Sequence, residues 1–177
     1  MKSLTAILLL FTAASVSAQT SYVCQPCGSS CDATVYHAPG TCTTCNMPLV
    51  DKATIKFTSL SPMEFCARMS DPNVIILDVR SPQEFDGSTT RTNSFGHFKN
   101  AININIDELE RRVDELSKYK SKEILVYCSH SRRSPRASYF LGQQGFSKVI
   151  NMSGGVSTIA ESATSECISK NYVVHPH

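Results

Sequence analysis

At 177 residues the chain has room for one ordinary domain and a small module, but not for two full-sized domains. Hydrophobic residues make up 41% and charged residues 18%, a globular composition that excludes a mainly disordered chain. Lys and Arg total 17 against 15 Asp and Glu, so the net charge is only +2. That balance makes no electrostatic case for nucleic acid or an anionic membrane as the main partner.

Residues 1–18 read as an export signal. Lys2 supplies a positive start, Leu4 to Val16 is mostly apolar, and Val16-Ser17-Ala18 offers small residues for cleavage before Gln19. The apolar run is short for a bilayer core of ~30 Å. No cysteine follows the cleavage point to carry a lipid anchor. The expectation is an exported protein, periplasmic or secreted, with no membrane association after cleavage.

Export exposes thiols to an oxidising compartment, where they pair or bind metal. Five of the eight cysteines fall between residues 24 and 45, while Cys66, Cys128 and Cys167 are spread over the rest. The asymmetry divides the chain into a small module, 19–52, and a larger domain, 53–177, with the seam at Val50–Ala53. Cys24-x2-Cys27 and Cys42-x2-Cys45 are paired knuckles able to offer four thiolates to one tetrahedral ion. About thirty residues bury too little apolar surface to fold unaided, so either a metal or disulfides must supply the stability. Cys31 is a fifth thiol, and His37 is a further candidate ligand.

Tyr22, Cys24, Pro39, Gly40, Cys42, Cys45, Met47, Leu49 and Val50 resemble the heavy-metal-binding domain, a ribbon found in exported bacterial proteins. Cys27 stands where that pattern usually has His, and Asn46 where it has Gly. The resemblance implies Zn²⁺ or a similar soft ion held by Cys24, Cys27, Cys42 and Cys45.

In the larger domain short apolar runs alternate with helical periods, which predicts an α/β fold with a mainly parallel sheet. Ser61-Pro62-Met63-Glu64 is a capping box with Leu60 and Phe65 as its staple, and Ser81-Pro82-Gln83-Glu84 repeats the signal. Val74–Leu77 and Glu123–Tyr127 read as buried strands, and Val149-Ile150 as a short one. Asp107 is expected to cap a helix carrying Leu109, Val113 and Leu116. Ser134-Pro135 starts another helix, with Ala137, Phe140 and Leu141 inward and Gly145 as its stop.

The chemical centre is Cys128-Ser129-His130-Ser131-Arg132-Arg133-Ser134, at the carboxyl end of a strand and the start of a helix. Open α/β sheets bind ligands there. Loop N–H groups and the helix start can converge on a sulfur and a bound anion, favouring the nucleophilic thiolate.

These residues resemble the rhodanese family of sulfurtransferases. Cys128, Arg133 and Ser134 satisfy its Cys-x4-Arg-Ser loop. Asp78-Val79-Arg80 with Glu84-Phe85, Gly96-His97, Ala101, Asn103-Ile104, Gly145-Phe146 and Gly154-Gly155 match its other segments. Ser131 and Asn100 replace usual glycines, no Trp follows Gly155, and residues 87–95 lengthen one connection. Tyrosine-phosphatase-like enzymes use Cys-x5-Arg, and here that position is Ser134, so the shorter, sulfur-sized loop is indicated.

The resemblance implies a rhodanese-like open sheet flanked by helices, and sulfur transfer through a Cys128 persulfide that needs no cofactor of its own. A small anionic donor such as thiosulfate would load Cys128, and a thiol or cyanide would unload it. Cys128 and Arg133 are then the catalytic pair, with Ser129, His130, Ser131, Arg132 and Ser134 around the substrate and Asp78, Arg80 and Glu84 bracing the loop. Two other readings stand beside it: a non-catalytic rhodanese-like binding module, and a metal- or redox-handling protein. Cys66 and Cys167 are expected to form a structural disulfide if they meet, since both lie far in sequence from the loop.

Overall fold

Short runs of β-forming residues pair into separate sheets in the computed structural model, which describes residues 19–162 and 165–175. Residues 1–18, read from the sequence as an export signal, lie outside the described residues. The first sheet is antiparallel, with strands β1 (Tyr22–Cys24), β2 (Val35–Tyr36) and β3 (Leu49–Asp51) in the order β2-β1-β3. A 3-10 turn at Ser30–Ala33 carries Cys31. With only eight residues in strands, this module is organised around its sulfurs: Cys24, Cys31 and Cys42 are its buried core.

The second sheet is parallel throughout. Strands β4 (Phe57–Leu60), β5 (Ile75–Asp78), β7 (Ile102–Asn103), β8 (Glu123–Tyr127) and β9 (Lys148–Met152) run in the order β4-β9-β8-β5-β7. Two-residue alternation sends their side chains to opposite faces. Ile76, Leu125, Tyr127, Ile150 and Met152 pack on one face against Phe65 and Cys66 of helix α1 (Pro62–Arg68) and Ile168 of α5 (Glu166–Asn171). Leu77, Ile124, Val126 and Val149 pack on the other against Leu109 of α3 (Ile106–Arg112) and Ala137 and Leu141 of α4 (Arg133–Gln143). Among the described residues no helix is long and apolar enough to cross a membrane.

Both capping boxes form: Ser61 and Glu64 start α1, and Ser81 and Glu84 start α2 (Pro82–Asp86). The cap of α3 is Asn105 rather than Asp107; the Asn105 side chain accepts from the Asp107 N–H, and Val113 and Leu116 continue in a 3-10 turn. Asn caps as well as Asp, so the cap falls two residues before the expected one. A short antiparallel pair, β6 (His97–Phe98) with β10 (Tyr172–Val173), brings the C-terminal segment back onto the domain. Cys66 of α1 and Cys167 of α5 are disulfide-bonded, with Cα atoms 6.0 Å apart.

Asn46, Asn100 and Ser131 all have positive φ, at 58°, 61° and 52°. They are the three positions where the related patterns carry glycine. The backbone shape is kept, and Asn adopts it more easily than Ser.

Candidate active site and metal centre

Cys128 follows the last residue of β8, on the face shared with Ile124 and Val126, and is 1% exposed. Its sulfur faces the start of α4: the Ser134 N–H donates to Sγ at 3.4 Å, and the Ser134 hydroxyl lies 3.4 Å away. Val156 and Ser157 N–H groups donate to the Cys128 and Ser129 carbonyls at 2.9 Å each, pinning the strand end. Gly155, at φ +70°, makes that possible, because a Cβ there would collide with both carbonyls.

Arg133, at the fifth position after Cys128, pairs with Glu84 and Ser129 rather than bonding to the sulfur. Nη1 and Nη2 donate to Glu84 at 2.6 and 2.7 Å, and Nη2 also donates to the Ser129 hydroxyl at 3.1 Å. Ser129 in turn donates to Glu84 at 2.8 Å. Burial alone would raise the Glu84 carboxyl, but Arg133, the Ser81 N–H and the Ser129 hydroxyl outweigh it and hold it at about 2. The side chains of Ser129, expected at the substrate, and of Arg133, expected in the catalytic pair, therefore bond to Glu84 at the flank of the loop.

Asp78 and Arg80, grouped with Glu84 in the sequence, brace a different segment. Arg80 is fully buried, grips Asp78 through Nε and Nη2, and donates to the Ser94 and Gly96 carbonyls at 2.6 and 2.7 Å. A buried guanidinium is tolerable only when paired and hydrogen-bonded in this way. Of the three, Glu84 alone bonds to the 128–134 loop. His130 is exposed and stands edge-on to Phe95, with ring centroids 5.4 Å apart. Arg132 is exposed and donates to the Ser29 hydroxyl of the ribbon. The Ser131 hydroxyl faces Asn151 Nδ2 at 3.4 Å. Nothing in the sequence singled out Asn151, which looks like an ordinary strand residue.

The ribbon thiols are all free. Those of Cys24, Cys27, Cys31 and Cys45 lie within 4.8 Å of one another, with neighbouring sulfurs 3.2 to 4.0 Å apart. Tetrahedral coordination at ~2.3 Å per thiolate puts sulfurs about 3.8 Å apart, so the set fits one soft ion. Cys31 thus takes the place that the paired-knuckle spacing assigns to Cys42. The 3-10 turn brings Cys31 inward, while Cys42 sits beside the group with the Tyr36 hydroxyl 3.7 Å from its sulfur. Backbone N–H groups of Thr44 and Cys45 lower the Cys42 thiol to about 6. Burial, then the neighbouring thiols, push Cys31 up to about 12 and Cys24 higher still. A bound dication reverses that balance by holding thiolates. His37 is exposed and outside the group.

An open parallel sheet with a cysteine-headed loop between β8 and α4 defines a class of anion- and sulfur-handling α/β domains. Residues 61–162, more than half of the chain, match the rhodanese-like domain, and the chain belongs to that family. The tRNA uridine(34) hydroxylase of Cronobacter sakazakii is 30% identical over 118 residues, 64% of this chain and 32% of that protein. The corresponding protein of Cytophaga hutchinsonii is 35% identical over 100 residues, 55% of this chain and 30% of that one. The chain spans about a third of the length of these curated relatives. A rhodanese-related protein from Thermoplasma volcanium is 29% identical with a TM-score of 0.50, over 61% of this chain and 95% of that one. The polysulfide-sulfur transferase homodimer of Wolinella succinogenes shares the fold, with a TM-score of 0.53 and 22% identity over 71% of this chain and 85% of that one.

Proposed function

We propose that this protein is an exported sulfurtransferase that moves sulfane sulfur from thiosulfate or a similar donor to a thiol or cyanide. The observation that carries the reading is the Cys128 sulfur set against the Ser134 N–H at the start of α4, inside a Cys-x4-Arg loop. The Cys128 thiolate attacks the outer sulfur of thiosulfate, the donor S–S bond breaks, and sulfite leaves with the electron pair. An acceptor thiolate then attacks the outer sulfur of the Cys128 persulfide and regenerates the Cys128 thiolate. The α4 N-terminus favours the anionic sulfur at both stages. Cys128 is the catalytic residue. Arg133 acts through Glu84 and Ser129 as a positioning residue, and exposed His130 and Arg132 draw the donor anion toward the loop.

The ribbon is assigned a Zn²⁺ ion, on its four clustered sulfurs. The ion would tie the knuckles together and contribute folding energy. Mass spectrometry of reduced protein incubated with thiosulfate tests the main reading. A reductant-sensitive gain of one sulfur, ~32 Da, on Cys128 and its absence in Cys128→Ser is expected. No adduct from any of several donors would refute it.

A further inference from the structure

The ribbon and the cysteine loop touch. Gly28, at φ +73°, lies so close to the Ser131 carbonyl that a Cβ there would collide with it, and the Arg132 guanidinium donates to the Ser29 hydroxyl. Gly28 and Ser29 lie between Cys27 and Cys31, two members of the thiol group, whose sulfurs are 3.8 Å apart. Asp32 closes the same turn by accepting from the Cys27 and Gly28 N–H groups, at 3.0 and 2.8 Å. Holding both cysteines on one ion therefore fixes the short span between them, and with it the surface that meets the loop.

Ser131 needs that support. Its φ of +52° is a left-handed conformation that serine adopts at a cost, and such a residue persists only where its surroundings hold it. Three contacts do so: Asn151 Nδ2 meets its hydroxyl at 3.4 Å, Gly28 covers its carbonyl, and Arg132 beside it is tied to Ser29. Two of the three come from the ribbon. The ribbon in turn has a core made of Cys24, Cys31 and Cys42, so its own order depends on what its sulfurs hold.

We propose that the ribbon is a metal-dependent clamp on the cysteine loop, in which Gly28 and Ser29 position Ser131 and Arg132. The ribbon is ordered with its ion and loosened without it, and only the ordered form presents a surface that fits Ser131. Loosening frees residues 131–132, which lie between Cys128 and the Ser134 N–H that donates to its sulfur. The supply of a soft metal thereby sets how well the loop around Cys128 is ordered. The clamp rests on the metal assigned to the ribbon and is independent of the sulfur-transfer reading. Such coupling is reciprocal, so a change that weakens the contact from the loop side also weakens metal binding.

The test is NMR measurement of backbone order parameters in isotope-labelled full chain kept from air, before and after a chelator removes Zn²⁺. With Zn²⁺ the Ser131 and Arg132 amides should be rigid, at ~0.85, and without it they should fall below ~0.6, while Ile124–Val126 stay unchanged. Gly28→Ala, which leaves every thiol in place, should free both amides even with Zn²⁺ bound. Arg132→Ala, on the far side of the contact, should bind Zn²⁺ about fivefold more weakly in competition with a chelating dye. Order parameters at Ser131 and Arg132 that ignore Zn²⁺, or wild-type Zn²⁺ affinity in Arg132→Ala, would overturn the clamp. Protein that takes up no Zn²⁺ would instead strike down the metal assignment, and the clamp with it.

Discussion

Glu84 and Arg133 form a two-point ion pair, 2.6 and 2.7 Å long, across 49 residues of chain. The carboxylate that closes the capping box of α2 is also the one that holds the first residue of α4. One side chain thus joins a local folding signal to the geometry of the cysteine loop. The pair is partly shielded, with Glu84 only 10% and Arg133 30% exposed, so it is worth more than a surface bridge.

Arg133→Ala should slow persulfide formation on Cys128 about ten- to a hundredfold, as expected from losing charge-assisted bonds of ~1.5–3 kcal/mol. Glu84→Gln should show much of the same loss, because Arg133 acts through it. Arg132→Ala, which removes an exposed bond to Ser29 and one charge that draws the donor, should cost less than Arg133→Ala. Single-turnover loading with thiosulfate measures all three. Equal rates in wild type and Arg133→Ala would remove the pair from the mechanism.

The depressed Glu84 carboxyl makes a pH signature. A carboxylate held at about 2 contributes stability that is complete above the ordinary glutamate value, ~4.3, and disappears as pH falls through about 2. Glu84→Gln should therefore be less stable than wild type at pH 7, with the gap closing between pH ~4.3 and ~2. Urea unfolding across that range reads the gap directly. Parallel stability curves would show that the pair contributes nothing.

Reduction of the Cys66–Cys167 bond should destabilise the larger domain. The bond closes a loop of 101 residues and ties α5 to α1. In the chain-entropy model such a loop is worth up to ~4–5 kcal/mol. Cys66→Ser should lower the melting temperature to the level of reduced wild type, and reductant should not lower it further. Persulfide chemistry at Cys128 should survive in folded Cys66→Ser protein.

Protein purified without a metal-affinity tag should carry about one Zn²⁺ per chain by elemental analysis. Cys24→Ser, Cys27→Ser and Cys45→Ser should each release it, since the spacing and the folded cluster agree on those three. Cys31→Ser should release it more readily than Cys42→Ser. The reverse order would return the fourth position to the paired knuckle.

Much of this architecture is encoded over short stretches of chain. The Ser-Pro-x-Glu boxes at Ser61 and Ser81 act within one helical turn, and the apolar run Glu123–Tyr127 buries itself whichever strands flank it. The loop from Cys128 to Ser134 joins a strand to a helix, which is enough to mark it as a site. These features depend on residues three or four apart, so the sequence by itself determined the α/β class, the place of the cysteine-headed loop and the sulfur-rich module. Tertiary structure decided what depends on the meeting of distant residues. It turned Arg133 onto Glu84, sent Arg80 to the 94–96 segment, and drew Cys31 into the thiol group ahead of Cys42. It bonded Cys66 to Cys167 and set the ribbon against Ser131. The direction of a long side chain and the closure of a long loop are set by packing over the whole molecule, and no spacing along the chain records them.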